Sequence, residues 1–254
     1  MRNYLKLIAI LLATIYSCKK EPKKENTNLS KDFSQLLDNY YEDGLKLNPI
    51  DATTAGDHRY DAFFTNSLSN DFISKSKKHY NTYKELLAAF PNDSLTKSEQ
   101  LSKATLTWEC DINLNEFNFN ANLTPIDQMW SLNLFMGQLA SGSSAQPFKT
   151  VSDYKKWLER IDGYLEWITS AEDRMKQGMQ SAHVLPKALI VKVIPQLKAL
   201  TNKDVEKHLF YKPIQNLPDN FTNRQKSELI NAYKNMVSNK VIPAYEKLHT
   251  FMST

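Results

Sequence analysis

Residues 150–178 read TVSDYKKWLERIDGYLEWITSAEDRMKQG, and this stretch decides the fold class. Thr150 and Asp153 stand at the spacing of a capping box, in which each side chain accepts a hydrogen bond from the backbone N–H of the other residue. Apolar residues then recur with a period close to 3.6, which is typical of one face of an amphipathic helix. The same period recurs along most of the chain, so we predict an all-α fold. The apolar face comprises Tyr154, Trp157, Leu158, Ile161, Tyr164, Leu165, Ile168, Ala171 and Met175.

Similar start signals predict further helices. Two more capping-box patterns, Thr96-Lys-Ser-Glu99 and Thr222-Asn-Arg-Gln225, begin a second and a third helix. Pro195 and Pro243 fall inside helical patterns, where a proline costs about 3 kcal/mol unless the helix bends. We therefore predict an irregular multi-helix array with kinked helices. Other helices are predicted near residues 31–47, 71–90 and 185–201.

The predicted second helix is apolar on one side, and the segment after it is ambiguous. Cys110 lies within the amphipathic pattern, which favours a buried and unreactive thiol. Residues 113–147 contain many aromatic and apolar side chains, which suit either short irregular helices or the lining of a groove. The side predicted to be apolar comprises Leu101, Ala104, Trp108, Ile112 and Asn115.

Composition limits the class of protein. A chain of 254 residues that is 41% hydrophobic and 24% charged can bury a sizeable core, as one large domain or two small ones. Only 6 glycines argue against a turn-dense β-sandwich and against a glycine-rich phosphate loop. The formal net charge of +4 includes Arg2 and Lys6, so about +2 remains without them. We therefore do not expect a nucleic-acid partner.

The first 18 residues predict where the protein is located. Arg2 and Lys6 precede an apolar run, residues 7–16, that is shorter than the roughly 20 residues of a membrane-spanning helix. The sequence Ile15-Tyr16-Ser17-Cys18 resembles the bacterial lipobox, in which the chain is cut before the cysteine and the cysteine is acylated. A short membrane anchor with an incidental cysteine is the alternative.

This interpretation divides the chain into three parts. We predict a signal peptide over residues 1–17, a flexible lysine-rich tether over residues 18–30 and a helical domain over residues 31–254. Lipidation of Cys18 would hold the domain at a membrane without a protein span. The predicted location is the bacterial cell envelope, on the periplasmic or outer-surface side of a membrane.

Local signatures of catalysis are missing from the sequence. A zinc hydrolase normally carries two histidines one helical turn apart, and none of the five histidines here has another four positions away. The chain also lacks a Gly-x-Ser-x-Gly elbow, a Walker-type loop, a Gly-x-Gly-x-x-Gly turn and a Cys-x-x-Cys pair. We therefore assign no catalytic residue and no metal ligand to this chain.

The densest polar cluster is Gly56-Asp57-His58-Arg59-Tyr60-Asp61. Asp57 beside His58 could orient an imidazole, and Arg59 could hold the carboxylate of a peptide terminus in bidentate fashion. Adjacent residues point in different directions, so a shared site would require a tight turn at Gly56. A loop tied down by its own aspartate and arginine hydrogen bonds is the alternative.

A second cluster, Arg174-Met175-Lys176-Gln177-Gly178, falls near the predicted end of the long helix. Gly178 is predicted to terminate that helix. Arg174 and Lys176 have an ordinary role there, because cations interact favourably with a helix C-terminus.

Taken together and in order, several segments resemble the bacterial family catalogued as domain of unknown function 885, many members of which are lipoproteins. The resemblance covers about residues 30–252 and is moderately specific. The matching segments are Pro49-Ile-Asp-Ala52-Thr53 running into residues 56–61, then Tyr154 to Arg160, Arg174-Met175-x-x-Gly178 with Pro186, and Ile242-Pro243-Ala244-Tyr245 with Leu248.

The resemblance implies an activity for the family. Members are about twice as long as this chain, are largely helical, and carry a His-Glu-x-x-x-Gly-His-like motif in their second half, which implies a zinc-peptidase-like hydrolase. This chain stops shortly after residues 244–248, before such a motif. The resemblance therefore implies the N-terminal, substrate-covering part of that fold, incomplete and truncated or split from its metal-bearing part. No cofactor is assigned to this chain, and zinc is implied only for full-length members. Candidates for the cleft wall are Asp57, His58, Arg59 and Trp130.

Two hypotheses of different class remain open. In the first, the chain is the N-terminal, substrate-covering part of a metallopeptidase-like lipoprotein. Its partners are then a membrane through the lipid anchor, a peptide substrate and a C-terminal half of the same family. In the second, the chain is a non-catalytic, membrane-tethered helical module that binds a peptide or protein. We expect the apolar stripe of Tyr245, Leu248, Phe251 and Met252 to expose a surface if the domain is interrupted. A complete enzyme of unrecognised mechanism is the least favoured, because no nucleophile or metal signature is present.

Overall fold

The computed structural model describes residues 27–254, so the predicted signal peptide and Cys18 lie outside the described residues. Between residues 27 and 254 the chain forms nine α-helices, short 3₁₀ helices and a π-helical turn, with no β-strand. The all-α prediction is confirmed. The first helix begins at Thr27, earlier than the boundary predicted at residue 31. The α-helices are α1 (Thr27–Leu47), α2 (Pro49–Thr54), α3 (Asn70–Ala88), α4 (Lys97–Glu116), α5 (Leu132–Ala140), α6 (Val151–Gln180), α7 (Lys187–Ala199), α8 (Asn223–Met236) and α9 (Ile242–Ser253).

All three predicted capping boxes are present. At the start of α6, Thr150 Oγ1 accepts a hydrogen bond from the Asp153 N–H at 3.2 Å, and Asp153 Oδ2 accepts one from the Thr150 N–H at 2.8 Å. The same reciprocal bonds start α4 at Thr96 and α8 at Thr222. Loss of such a cap costs about 1 kcal/mol. These helix starts depend on local hydrogen bonds, which is why the sequence predicts them.

The apolar face of α6 forms the centre of the larger of two hydrophobic cores. Trp157 and Ile161 are fully buried, and α5, α7, α8 and α9 contribute side chains that pack with them. The Tyr164 and Tyr245 hydroxyls lie 2.6 Å apart within this core. Each large apolar side chain buried here contributes about 1.5–3 kcal/mol. Leu158 and Leu165, also predicted on this face, are half-buried.

Helices α1, α3 and α4 form a second, smaller core. Its aromatic side chains include Phe33 and Tyr83, and the Tyr83 hydroxyl donates to Asp43 Oδ2 at 2.7 Å. The buried members of this core are Phe33, Leu36, Tyr83, Leu87, Leu95, Leu106 and Cys110. The described part of the chain therefore has two hydrophobic cores. Helix α2 follows α1 in sequence.

The structure buries a different face of α4 from the one that the sequence predicts. Leu106 and Cys110 pack in the smaller core, whereas Leu101 and Trp108 are 70% and 63% exposed and Ile112 is also exposed. The prediction that this side of α4 is buried is therefore wrong. Apolar residues lie on two opposite faces of α4, so contact with α3, and not periodicity, selects the buried face. The buried thiol is confirmed, and burial raises the pKa of Cys110 to about 11, which keeps it protonated.

The predicted irregularity at Pro243 takes the form of a π-helical turn. This turn, Val237–Val241, connects α8 to α9, and Pro243 lies in the first turn of α9. In a regular α-helix a proline ring clashes with the carbonyl group four residues earlier, and here that residue, Asn239, belongs to the π-helical turn. Pro195 lies inside α7, as predicted.

Gly178 does not terminate α6, contrary to the prediction. The helix continues to Gln180 and ends where Ala182 adopts a left-handed conformation with φ of 56°. The His183 N–H then donates to the Gly178 carbonyl at 2.8 Å, as in a Schellman-type helix end. Gly178 is required for a different reason. A Cβ atom there would overlap the His183 carbonyl oxygen and would lie 3.1 Å from the Leu123 carbonyl oxygen.

The apolar stripe of α9 faces the larger core. Tyr245 and Leu248 are fully buried, and Phe251 and Met252 are half-buried against the same core. The expectation of an exposed surface is therefore wrong for this stripe, because α9 packs on α6 and α7. None of the helices between residues 27 and 254 combines the length and hydropathy that a bilayer-crossing segment needs.

Candidate functional site

Helix α2 and the segment that contains α5 enclose a groove. This α5 groove has a volume of about 590 Å³, within the range of about 300–1,000 Å³ that is usual for ligand sites. Trp130, one of the predicted cleft-wall residues, lies on its wall and is 86% exposed. Both interpretations of residues 113–147 thus apply, since this segment forms short helices and also lines a groove. Its apolar walls include Pro49, Ile50, Met129, Leu132 and Phe135.

Three further cavities adjoin the α5 groove. The central groove, of about 650 Å³, lies between α3, α4 and residues 117–125. The α1 groove, of about 350 Å³, lies between α1, α3 and α4. Both share Asn48 and Asp51 with the α5 groove. The outer groove, of about 710 Å³, lies between α5 and α7 and shares Leu134 and Gln138 with the α5 groove. We call these four cavities together the groove system.

Asp51 lies where three of these grooves meet. It stands in the first turn of α2, which begins at Pro49 directly after Asn48. Its side chain makes no hydrogen bond or ion pair with the described residues. The residue as a whole is exposed, yet the surrounding protein atoms partly desolvate its carboxyl group and raise the pKa of Asp51. A carboxyl group with a perturbed pKa in a cleft is a functional candidate. The sequence alone does not identify Asp51 as a candidate, because its only local signal is its position shortly after Pro49.

Arg160 of α6 holds α2 in place and is fully buried. Its guanidinium donates to Thr53 Oγ1 at 2.8 Å and to the carbonyl oxygens of Tyr60 at 2.7 Å and Phe63 at 3.0 Å. It also donates to Gln146 Oε1 at 2.8 Å. These bonds fix α2 and the loop after it against α6, so the wall that carries Asp51 is anchored from behind.

A buried carboxylate accompanies Arg160. Asp61 is fully buried, and its Oδ1 accepts a hydrogen bond from Thr53 Oγ1 at 2.7 Å. Burial lowers the pKa of Arg160 to about 10, against the opposing effect of the Asp61 charge. The guanidinium therefore remains charged at neutral pH. Sequence reasoning noted Arg160 only as part of the family resemblance, because burial of an arginine leaves no local sequence signal.

The predicted cluster at residues 57–59 forms a loop that is bonded to itself. Arg59 Nε lies 2.9 Å from Asp57 Oδ2, and Arg59 Nη2 lies 3.0 Å from Glu42 Oε1. The bond from Arg59 lowers the pKa of Asp57. His58 Nδ1 faces Asp61 Oδ2 at 3.0 Å, so Asp57 orients Arg59 and not the imidazole. Asp57, His58 and Arg59 do not line the groove system, and their place in a cleft wall stays a prediction.

The described residues do not supply a metal site. His79 packs against the rings of Tyr40 and Tyr83, and burial lowers its pKa. His208 is buried and bonded to the Leu200 carbonyl oxygen and the Phe210 N–H. Within residues 27–254, no group of three or more histidine, cysteine, aspartate or glutamate side chains could hold a metal ion. The donor set that zinc requires is therefore not present in this part of the chain.

Comparison with known proteins identifies relatives of this fold. A solved structure, described as "the putative lipoprotein from Colwellia psychrerythraea", matches with a TM-score of 0.73 and 16% sequence identity. The match covers 89% of this chain and 41% of that one, so this chain spans less than half the length of that protein. At this identity the likeness shows the fold alone. No curated protein matches this chain. Residues 49–254 match the family described as "Bacterial protein of unknown function (DUF885)", and the chain belongs to this family.

Proposed function

We propose that residues 27–254 bind a peptide in the groove system and form the substrate-binding part of an envelope-anchored, peptidase-like hydrolase. The observation that supports this proposal is the groove system itself, whose adjoining cavities measure about 350–710 Å³. The exposed surface of the α5 groove is mainly apolar, with aromatic side chains from Trp130 and Phe135, and polar groups such as Asn48 and Asp51 also line it. A row of such cavities suits successive side chains of an extended peptide.

Cleavage is not assigned to residues 27–254. The family resemblance implies a zinc hydrolase, but no described cluster offers three metal-binding side chains. On this proposal, the residues that bind zinc and the residues that bind the peptide come from different parts of a larger protein. The Colwellia psychrerythraea structure is more than twice as long as the part of it that this chain matches.

Trp130 is the residue on which we expect peptide binding to depend most. Its side chain is 86% exposed on the wall of the α5 groove, and exposed tryptophans that become buried on binding dominate many interfaces. Trp130→Ala should weaken binding of a labelled, apolar pentapeptide about tenfold. Fluorescence anisotropy with an uncharged dye measures this. The matched control is Trp108→Ala, because Trp108 is 63% exposed and lies outside the groove system.

Two results would contradict the substrate-binding proposal. Equal losses of affinity in the Trp130 and Trp108 variants would show that the peptide binds to exposed aromatic residues without preference for the groove. Cleavage of the peptide by this chain with added zinc, followed by mass spectrometry, would show that the chain is catalytic without a second part. An unchanged peptide that binds through Trp130 is the expected result.

The membrane anchor is a proposal of its own, because Cys18 lies outside the described residues. Acyl chains contribute roughly 0.8 kcal/mol per buried methylene, so lipidation would retain the helical part at a membrane. In a bacterial host, the chain should incorporate radioactive palmitate and sediment with membranes. Cys18→Ser should abolish the label and release the protein, whereas Cys110→Ser should leave both unchanged. Label retained after substitution of Cys18 would rule out this anchor.

The second candidate is a non-catalytic peptide-binding module. The lack of a metal-binding cluster among residues 27–254 favours it. Reading the gene beyond codon 254 separates the two candidates. An in-frame His-Glu-x-x-x-Gly-His-like segment supports the hydrolase, and its absence in all three frames supports the binding module.

A further inference from the structure

The charged side chains that line the groove system are opposite in sign to the net charge of the chain. The whole chain has 32 lysines and arginines and a net charge of +4, yet among residues 27–254 no lysine or arginine lines any of the four grooves. Three carboxylates of the same part of the chain do line them, from Asp51, Glu109 and Glu116. The histidine in the α1 groove, His79, has a pKa lowered by burial and is therefore neutral near pH 7. The grooves are consequently negative in a chain that is positive overall.

The three carboxylates are not equivalent. Glu109 accepts a hydrogen bond from the Tyr40 hydroxyl at 2.7 Å, so one of its carboxylate oxygens already has a partner within the protein. Glu116 and Asp51 make no side-chain hydrogen bond or ion pair with the described residues. Asp51 is the one that lines three grooves at once. It is therefore the available acceptor closest to the apolar walls of the α5 groove.

We propose that the junction of the grooves at Asp51 binds the cationic amine of a peptide, whose neighbouring apolar side chain lies along Trp130 in the α5 groove. This proposal rests on the proposed function and names the chemical class of the substrate. An ammonium group donates charge-assisted hydrogen bonds to a carboxylate, and Asp51 is exposed, so such a group can reach it from solvent. The Tyr80 side chain lines both the central groove and the α1 groove, which provides an aromatic surface of the kind that attracts cations.

Charge complementarity favours a cationic group of the peptide over its negatively charged C-terminus. A peptide C-terminus would place a carboxylate among Asp51, Glu109 and Glu116, and no lysine or arginine of the described residues lies on the walls to receive it. A neutral apolar segment would fill the α5 groove but would make no charge-assisted hydrogen bond with the Asp51 carboxylate. The amine can belong to a peptide N-terminus or to a lysine side chain, since both are primary ammonium groups.

Isothermal titration calorimetry with three pentapeptides of the same apolar core tests the proposal. All three are amidated at the C-terminus. The first has a free N-terminus and no lysine, the second is N-acetylated with one lysine, and the third is N-acetylated and uncharged. We expect at least one charged peptide to bind about tenfold more tightly than the uncharged one, and the comparison of the first two identifies the source of the amine.

The substitution Asp51→Asn should remove this preference, so that the charged peptides bind no more tightly than the uncharged one. Asp32→Asn is the matched control, because Asp32 is exposed on α1, lies outside the groove system and has the same charge. Thermal unfolding of both variants verifies that they fold. The amine assignment fails if the uncharged peptide binds as tightly as the charged ones, or if Asp51→Asn and Asp32→Asn have equal effects. Absence of binding by all three peptides would instead overturn the proposed function, and the amine assignment with it.

Discussion

Replacing Arg160 with methionine is expected to lower the free energy of unfolding by about 3–5 kcal/mol. Methionine fills much of the same volume but removes the donors that now bind Thr53, Tyr60, Phe63 and Gln146. It also leaves the fully buried Asp61 without the nearby positive charge. Loss of one partner from a buried ionic network is costly because the remaining charge is not solvated.

Urea unfolding monitored by circular dichroism measures this loss, in a chain that carries Cys18→Ser so that it stays unacylated. Arg224→Met is the matched control, because Arg224 is exposed and pairs with exposed Glu228, so its loss should change stability little. Adding Asp61→Asn to the Arg160 variant should recover part of the loss, since it removes the uncompensated charge. A loss below about 1 kcal/mol in the Arg160 variant would show that the network does not stabilise the fold.

Gly178→Ala is expected to destabilise the protein by about 3 kcal/mol, at the upper end of the range for overpacking. The added Cβ would overlap the His183 carbonyl oxygen and approach the Leu123 carbonyl oxygen. Both obstacles are backbone atoms, so the side chains around them cannot make room by changing rotamer. Either the end of α6 or the 3₁₀ turn Ala121–Leu123 must shift.

The matched control for this variant is Gly44→Ala. Gly44 lies inside α1, and a Cβ there would meet no heavy atom within 4 Å. Alanine should therefore stabilise α1 by about 0.5–1 kcal/mol, because glycine loses more backbone freedom on folding. The same substitution is thus expected to lower stability at Gly178 and to raise it at Gly44. Thermal unfolding compares the two variants directly. A stabilising effect of Gly178→Ala would show that the end of α6 leaves room for a Cβ atom at Gly178.

The Arg160 network also connects stability to the candidate site. Arg160 binds the carbonyl oxygens and hydroxyl of α2 and the loop after it, and α2 carries Asp51 to the junction of the grooves. Loosening this network should therefore affect peptide binding even though Arg160 does not line the grooves. The polar cluster at residues 56–61 belongs to the same arrangement. Its conspicuous charges serve mainly to hold a loop, whereas the less conspicuous Asp51 faces the cavity.

The sequence by itself determines where the capped helices begin, because capping signals act over three or four residues. Three capping boxes and a period of 3.6 residues specify where α4, α6 and α8 begin and which face of α6 is buried. Family membership is equally visible in the order of short segments. The sequence alone left open whether Trp130 packs in a short helix or lines a groove, and its role in a cleft wall stays a prediction.

Only the tertiary structure decides which face of α4 is buried, why Gly178 is required and where Asp51 lies. Each of these features depends on residues that are distant in sequence. Arg160 and Thr53 are 107 positions apart, and the atoms that exclude a Cβ at Gly178 come partly from Leu123. Local periodicity cannot choose between two apolar faces of one helix, because burial depends on which neighbour packs against it. For the same reason, the exposed charges of residues 57–59 stand out in the sequence, while the groove around Asp51 exists only after the helices pack.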